Sequence, residues 1–163
     1  MSEEEKQATQ QITVKSNRFG EFAVPTDSLI EFPSGLIGFP KEKFYVVVEH
    51  KPPFSWLHAV KNPDLAFVIV DGFEFGPTYE VKVPFGDVEI DLQKDDEYAM
   101  LVIVTVRPDP SQTTANLKAP VFVNLRNRKG VQIVLDDSRF STRFTLWAPQ
   151  EKKEGEQKTE EKK

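Results

Sequence analysis

The apolar positions of this chain come in short runs with the spacing of strands. Ile12-Thr13-Val14 and Glu21-Phe22-Ala23-Val24 flank the turn-like Asn17-Arg18-Phe19-Gly20, which predicts a hairpin. Leu29–Phe32 runs into Pro33-Ser34-Gly35, a strong break. Phe44–Val48, Leu65–Val70 and Ala99–Val106 are apolar throughout, as in strands buried on both faces. Trp56–Val60 alternates imperfectly, whereas Tyr79–Val83 alternates cleanly and predicts a strand with one wet face. Val121–Val123 and Val131–Leu135 flank Arg126-Asn127-Arg128-Lys129-Gly130, a second hairpin. Helical signal is sparse. Phe85–Leu92 suits a short helix or a strand, and Thr113–Ala119 suits a helical turn or an irregular loop. The prolines fall mostly between runs, where they end strands. Many short strands with regular turn signals indicate a barrel or sandwich. Because several runs lack a polar face, the pattern favours an all-β, small barrel-like domain of short antiparallel strands.

Composition sharpens this picture. Thirteen Phe against two Met and three Tyr predict an aromatic-rich, sheet-based core. Residues 11–148 read as one domain, 1–10 as a flexible N-terminus and 149–163 as a disordered charged tail that mixes Glu with Lys. The absence of Cys excludes disulfides and thiolate chemistry and fits a reducing compartment. Met1-Ser2-Glu3-Glu4-Glu5-Lys6 is acidic with no apolar run behind it, unlike a secretory signal. No apolar run approaches the ~20 residues of a membrane helix. The expectation is a cytoplasmic protein without membrane contact.

Catalysis finds little support. His50 and His58 are the only histidines, and neither has a second ligand at metal spacing, so both read as structural and no metal or cofactor is expected. Asp136-Asp137-Ser138 offers acids beside a hydroxyl, but no base lies near and no nucleophile-elbow glycines surround Ser138. Asp side chains that close a turn after a strand explain the first half of the segment. The density of Arg139, Ser141, Thr142 and Arg143 behind them suggests a hydrogen-bonded clamp near the domain's end, with a partner contact as the alternative. Neither Gly-rich phosphate motif occurs.

The chain carries a net charge of −5, which argues against direct nucleic-acid binding. Arg126, Arg128 and Lys129 form a basic hairpin tip, read either as an RNA or acidic-partner contact or as a solvated turn. Charge is also segregated. Asp71–Tyr98 holds nine acids against two bases, and Arg107–Arg143 holds seven bases against three acids. Either the acidic segment forms one face that steers a basic partner, or interleaved strands cancel the two fields.

Several motifs then occur in a fixed order. They are Asn62-Pro63-Asp64-Leu65-Ala66-Phe67, Thr114-Ala115-Asn116-Leu117-Lys118-Ala119-Pro120, Asn127-Arg128-Lys129-Gly130 and Asp136-Asp137-Ser138-Arg139-Phe140-Ser141-Thr142-Arg143. Ahead of them, Glu31-Phe32-Pro33-Ser34-Gly35-Leu36-Ile37-Gly38-Phe39 follows the spacing Phe-x-x-Gly-(Ile/Leu)-x-Gly-Phe. The ordered set resembles the flagellar assembly factor FliW family over about Ile12–Leu146. The resemblance implies a cytoplasmic, non-enzymatic protein that binds flagellin and the translational repressor CsrA. By binding CsrA it would keep the repressor off flagellin mRNA, by direct blocking or allosterically. For a CsrA-like partner the expected contacts are exposed acids, Glu74, Glu80, Asp87, Asp95 and Asp96. For flagellin the expectation is an apolar groove with Phe73 and Phe75. The competing reading is an RNA-binding barrel that uses Arg126–Lys129.

Overall fold

The computed structural model describes residues 10–146. The stretches read as a flexible N-terminus and as a charged tail lie outside the described residues, save Gln10. Eleven strands are present among them: β1 Gln11–Ser16, β2 Gly20–Pro25, β3 Ile30–Glu31, β4 Phe44–Glu49, β5 Ser55–Ala59, β6 Ala66–Asp71, β7 Tyr98–Thr105, β8 Thr114–Ala115, β9 Val121–Asn124, β10 Lys129–Gln132 and β11 Phe144–Thr145. Helix is limited to three single 3-10 turns, at Thr26–Ser28, Gly72–Phe75 and Pro110–Gln112. The all-β, barrel-like expectation holds. Seven strands run β7-β6-β5-β4-β3-β10-β9, and β9 pairs again with β7, which closes the barrel. The closing register is Tyr98↔Asn124 to Leu101↔Val121, while β8 takes Val104 and Thr105 of β7. β3 pairs with β10 in parallel and with β4 antiparallel.

Alternation along the strands assigns two faces. The inward face carries Ile30, Tyr45, Leu57, Ile69, Leu101 and Val123, which pack as one cluster with Phe32. The outward residues of β6, β7 and β9, among them Val70, Val102 and Phe122, form a second cluster. The long connection between β6 and β7 covers it with Tyr79, Ile90 and Leu92, and the chain near the end of the domain adds Phe140. On the opposite side the β1–β2 hairpin lays Val14 against Val46 and Val60. Strands without a polar face are therefore explained: the barrel is coated as well as filled.

Three readings of local structure need correction. Tyr79–Val83 belongs to no ladder. Its alternation is real, since Tyr79 is buried and Glu80 and Lys82 are exposed. The segment is anchored by the Tyr79 hydroxyl, which donates to Leu117 O at 2.7 Å, rather than by strand pairing. Burial pushes that phenol up to about 12. Phe85–Leu92 is neither helix nor strand but a turn capped by Asp87, whose Oδ1 accepts from the N–H groups of Glu89 and Ile90. Thr113–Ala119 contributes β8 and then an Asn116 turn, in which Asn116 Oδ1 accepts from Lys118 and Ala119 N–H.

His58 is buried on β5 and has a structural environment. Ser16 Oγ accepts from the N–H groups of Arg18 and Phe19, so its own proton goes to His58 Nε2 at 2.8 Å. His58 Nδ1–H then donates to Ala59 O at 2.7 Å. This chain of bonds ties the turn of the β1–β2 hairpin to the barrel wall.

Inside the barrel, Gly130 of β10 leaves room for the Phe32 ring. A Cβ added at Gly130 would lie 2.4 Å from Phe32 Cε2. Gly130→Ala is expected to lower stability by about 1–3 kcal/mol through overpacking, measured by urea denaturation.

Candidate functional site

Asp71 ends β6 and turns its carboxylate forward along the chain, where Oδ1 accepts from Phe73 N–H at 2.9 Å. This cap folds Gly72–Phe75 into a 3-10 turn. Gly72 lets the turn lie against β7, since a Cβ there would approach Met100 Cε to 2.8 Å. The result is that Phe73 projects into solvent, 56% exposed. Its ring lies 6.1 Å from that of Tyr98, which meets Phe85 edge-on at 6.1 Å. Phe85 is itself exposed. These rings rim one end of the barrel.

At that end the barrel is open. Val47, Ser55, Ile69, Ala99 and Leu101, from four strands, line a cavity of 330 Å³ between Phe73, Tyr98 and Pro53. Its charged lining residue is Asp71, and among the described residues no Lys or Arg lines it. Glu74 follows Phe73 on the same turn, and Glu97 precedes Tyr98, both exposed. Apolar wall, aromatic rim and acidic surround together suit the docking of a cationic, partly apolar protein surface.

The structure sorts the expected contact residues. Phe73 comes to this mouth, and Glu74, next to it on the turn, lines an adjoining groove with Phe75 and Phe144. Asp95 is exposed and forms no ion pair among the described residues. Phe75 turns inward, edge-on to Tyr79 at 5.8 Å and Phe144 at 6.0 Å. Asp87 is occupied as a cap. Asp96 is occupied too: it accepts from Arg126 Nε at 2.8 Å, Gln93 N–H at 2.9 Å and Asn124 Nδ2 at 3.2 Å. The Arg126 hydrogen bond, with that from Gln93, holds the Asp96 carboxyl at about 2. Glu80 lies apart, on a 500 Å³ groove shared with Phe85, Asp136 and Asp137. Val47, Phe85 and Tyr98 were missed, because their exposure follows from how strands end rather than from any sequence signal.

The basic hairpin is largely engaged. Arg126 bridges Asp96 and Asp91, and its Nη2 donates to Asp91 O at 2.7 Å. Arg128 Nη2 donates to Ser28 O at 2.7 Å. Two of the three cations thus hold neighbouring segments, which removes most of the tip that an RNA contact requires.

The Asp136–Arg143 segment is a set of local turns. Asp137 accepts from the N–H of Arg139 and pairs with its guanidinium at 2.8 Å. Ser141 Oγ accepts from Arg143 N–H. Ser141 O accepts from Leu117 N–H, the one long-range bond of this stretch among the described residues. Phe140 is buried, edge-on to Tyr79 at 4.9 Å. Among the described residues, Asp136, Ser138 and Thr142 add no side-chain bond. Among the described residues no His, Asp or Glu cluster is placed to hold a metal.

The comparisons with known proteins agree with this architecture. A family model described as "FliW protein" matches residues 13–146. The chain is 39% identical over 140 residues to a flagellar assembly factor FliW of Caldicellulosiruptor bescii, covering 85% of this chain and 92% of that one. It is 36% identical over 138 residues to the Geobacter sulfurreducens protein of the same name, covering 83% and 87%. A crystal structure of the flagellar assembly factor FliW superposes with a TM-score of 0.75 at 30% identity, covering 83% of this chain and 96% of that one.

Phe140→Ala is expected to cost about 3 kcal/mol in urea denaturation. Arg139→Ala, which removes an exposed ion pair confined to one turn, is expected to leave the denaturation midpoint nearly unchanged. Asp96 is depressed from 3.8 in the folded protein, so its stabilising contribution is complete above that value and lost as pH falls toward 2. Asp96→Asn is therefore expected to flatten stability between pH 4 and 2, read by thermal melts across that range.

Proposed function

The chain belongs to the FliW family, and from that membership we propose that it is a cytoplasmic flagellar assembly factor that binds flagellin and the repressor CsrA. Residues 11–148 would form the binding domain. Bound to CsrA, the protein keeps the repressor off flagellin mRNA. Secretion of flagellin frees more of the protein to do so. No catalytic step is assigned. Among the described residues no helix is long and apolar enough to cross a membrane.

The observation that carries the reading is the mouth itself. Phe73 is a large aromatic side chain held in solvent by a capped turn, beside Glu74 and over an apolar cavity free of Lys and Arg. With the neighbouring Tyr98 and Phe85 rings and the apolar wall it makes a contiguous apolar patch around an open pocket, the kind of surface that marks a protein-binding site. The acids that remain available, Glu74 and Asp95, supply attraction for a basic RNA-binding protein. Asp96 and Asp87 contribute through the fold instead.

A pull-down from cytosol with the full chain tests the proposal. Recovery of flagellin and a small RNA-binding repressor supports it, and recovery of RNA alone sinks it. In calorimetry, Phe73→Ala is expected to weaken flagellin binding by about thirtyfold, the scale of an interfacial hot spot. Asp95→Lys is expected to weaken CsrA binding and its dependence on salt, with the fold intact.

A further inference from the structure

β4 pairs with β5 along its full length, but with β3 only at Phe44 and Tyr45. Its hydrogen bonds tell which residues face which neighbour. Val60 N–H donates to Phe44 O at 2.9 Å, so Phe44, Val46 and Val48 direct their backbone groups toward β5. Phe32 N–H donates to Lys43 O at 2.7 Å, so Tyr45, Val47 and Glu49 face the side of β3. β3 stops too soon to meet the last two. In register Ser28 would stand opposite Val47, but Ser28 belongs to the 3-10 turn Thr26–Ser28. Its C=O accepts from Arg128, and its hydroxyl donates to Pro25 O. Among the described residues, the N–H and C=O groups of Val47 and the N–H of Glu49 therefore form an open strand edge. Val47 is 42% exposed although its side chain faces the barrel interior.

This edge runs along the 330 Å³ mouth, of which Val47 is a wall. An extended segment laid on the edge would bond to Val47 and Glu49 and drop an alternate side chain between Ile69, Leu101 and Phe73. Charge selects the segment. Glu49 lies on the edge, Asp71 in the lining and Glu74 beside Phe73, while Arg128 is engaged at Ser28 O and Lys51 lies beyond the edge in the next loop. A second copy of this chain would bring Glu49, Asp71 and Glu74 against their own kind.

We propose that the β4 edge at the mouth is a strand-addition site for an extended partner segment that alternates apolar residues with lysine or arginine. The inference rests on the mouth being the protein-binding site and adds how the partner is held.

The test is an NMR titration of the full chain with a capped eight-residue peptide alternating lysine and valine, and with its glutamate–valine counterpart. Expected are shifts at Val47, Glu49, Phe73 and Tyr98, and amide exchange at Val47 and Glu49 slowed by about tenfold or more at saturation. The glutamate peptide is expected not to bind, and Phe73→Ala to weaken the lysine peptide. No binding at millimolar lysine peptide, protection at another edge, or equal binding of both peptides overturns the proposal. So does protection of Val47 that grows with protein concentration alone. Flagellin binding without protection at Val47 and Glu49 sinks strand addition and leaves the assembly reading standing. Peptide binding without flagellin binding does the reverse.

Discussion

On the side of β7 away from β6, the backbone groups are divided between two partners. Tyr98 to Leu101 meet β9, and Val104 and Thr105 meet β8. The first contact closes seven strands on themselves, and the second carries the end of the domain back onto the wall through β11. Everything else depends on that division. With β9 in place, the inward residues of β7 pack against Val121 and Val123 in one interior cluster. With β8 in place, Leu117 and Phe140 reach the outer face of the same strand's neighbours. Closure also removes two sheet edges that would otherwise be open to association.

Outside the barrel, single polar side chains do the anchoring that ladders do within it. Tyr79 holds its unpaired segment through Leu117 O. Asn124, fully buried, donates to Ile90 O and to Asp96, and so fastens the acidic connection to β9. Arg126 reaches across to the same connection. His58 and Ser16 fasten the first hairpin. Each of these groups is bonded where burial would otherwise penalise it. The charge segregation along the chain is thereby partly cancelled in space, because a base from one segment neutralises acids of the other. What survives as acidic surface is the set left unpaired, Glu74, Asp95 and Glu97 among them.

The mouth follows from where strands stop. β6 ends at a capped turn that lifts Phe73 outward, and β3 ends before it covers Val47. Both concern termini of elements, where loops carry function on a rigid scaffold.

Much was legible in the sequence alone. Period-two alternation and all-apolar runs identified most strands, since both report burial on one face or two. Gly20 and Gly130 marked hairpins, and the ordered motifs from Asn62 to Arg143 identified the family. The segment Asp136–Arg143 identified it best, yet in the structure its bonds are mostly local and its buried contact is Phe140. Local chemistry of this kind is written in adjacent residues. Pairing is not. Tyr79–Val83 has a strand's alternation without a strand's partner, and Asp96 looks like any exposed acid until Arg126 arrives from thirty residues away. Sequence pattern determined which faces are buried. Only the tertiary structure decided which edges are left unpaired and which charges are left free, because both depend on where distant segments end.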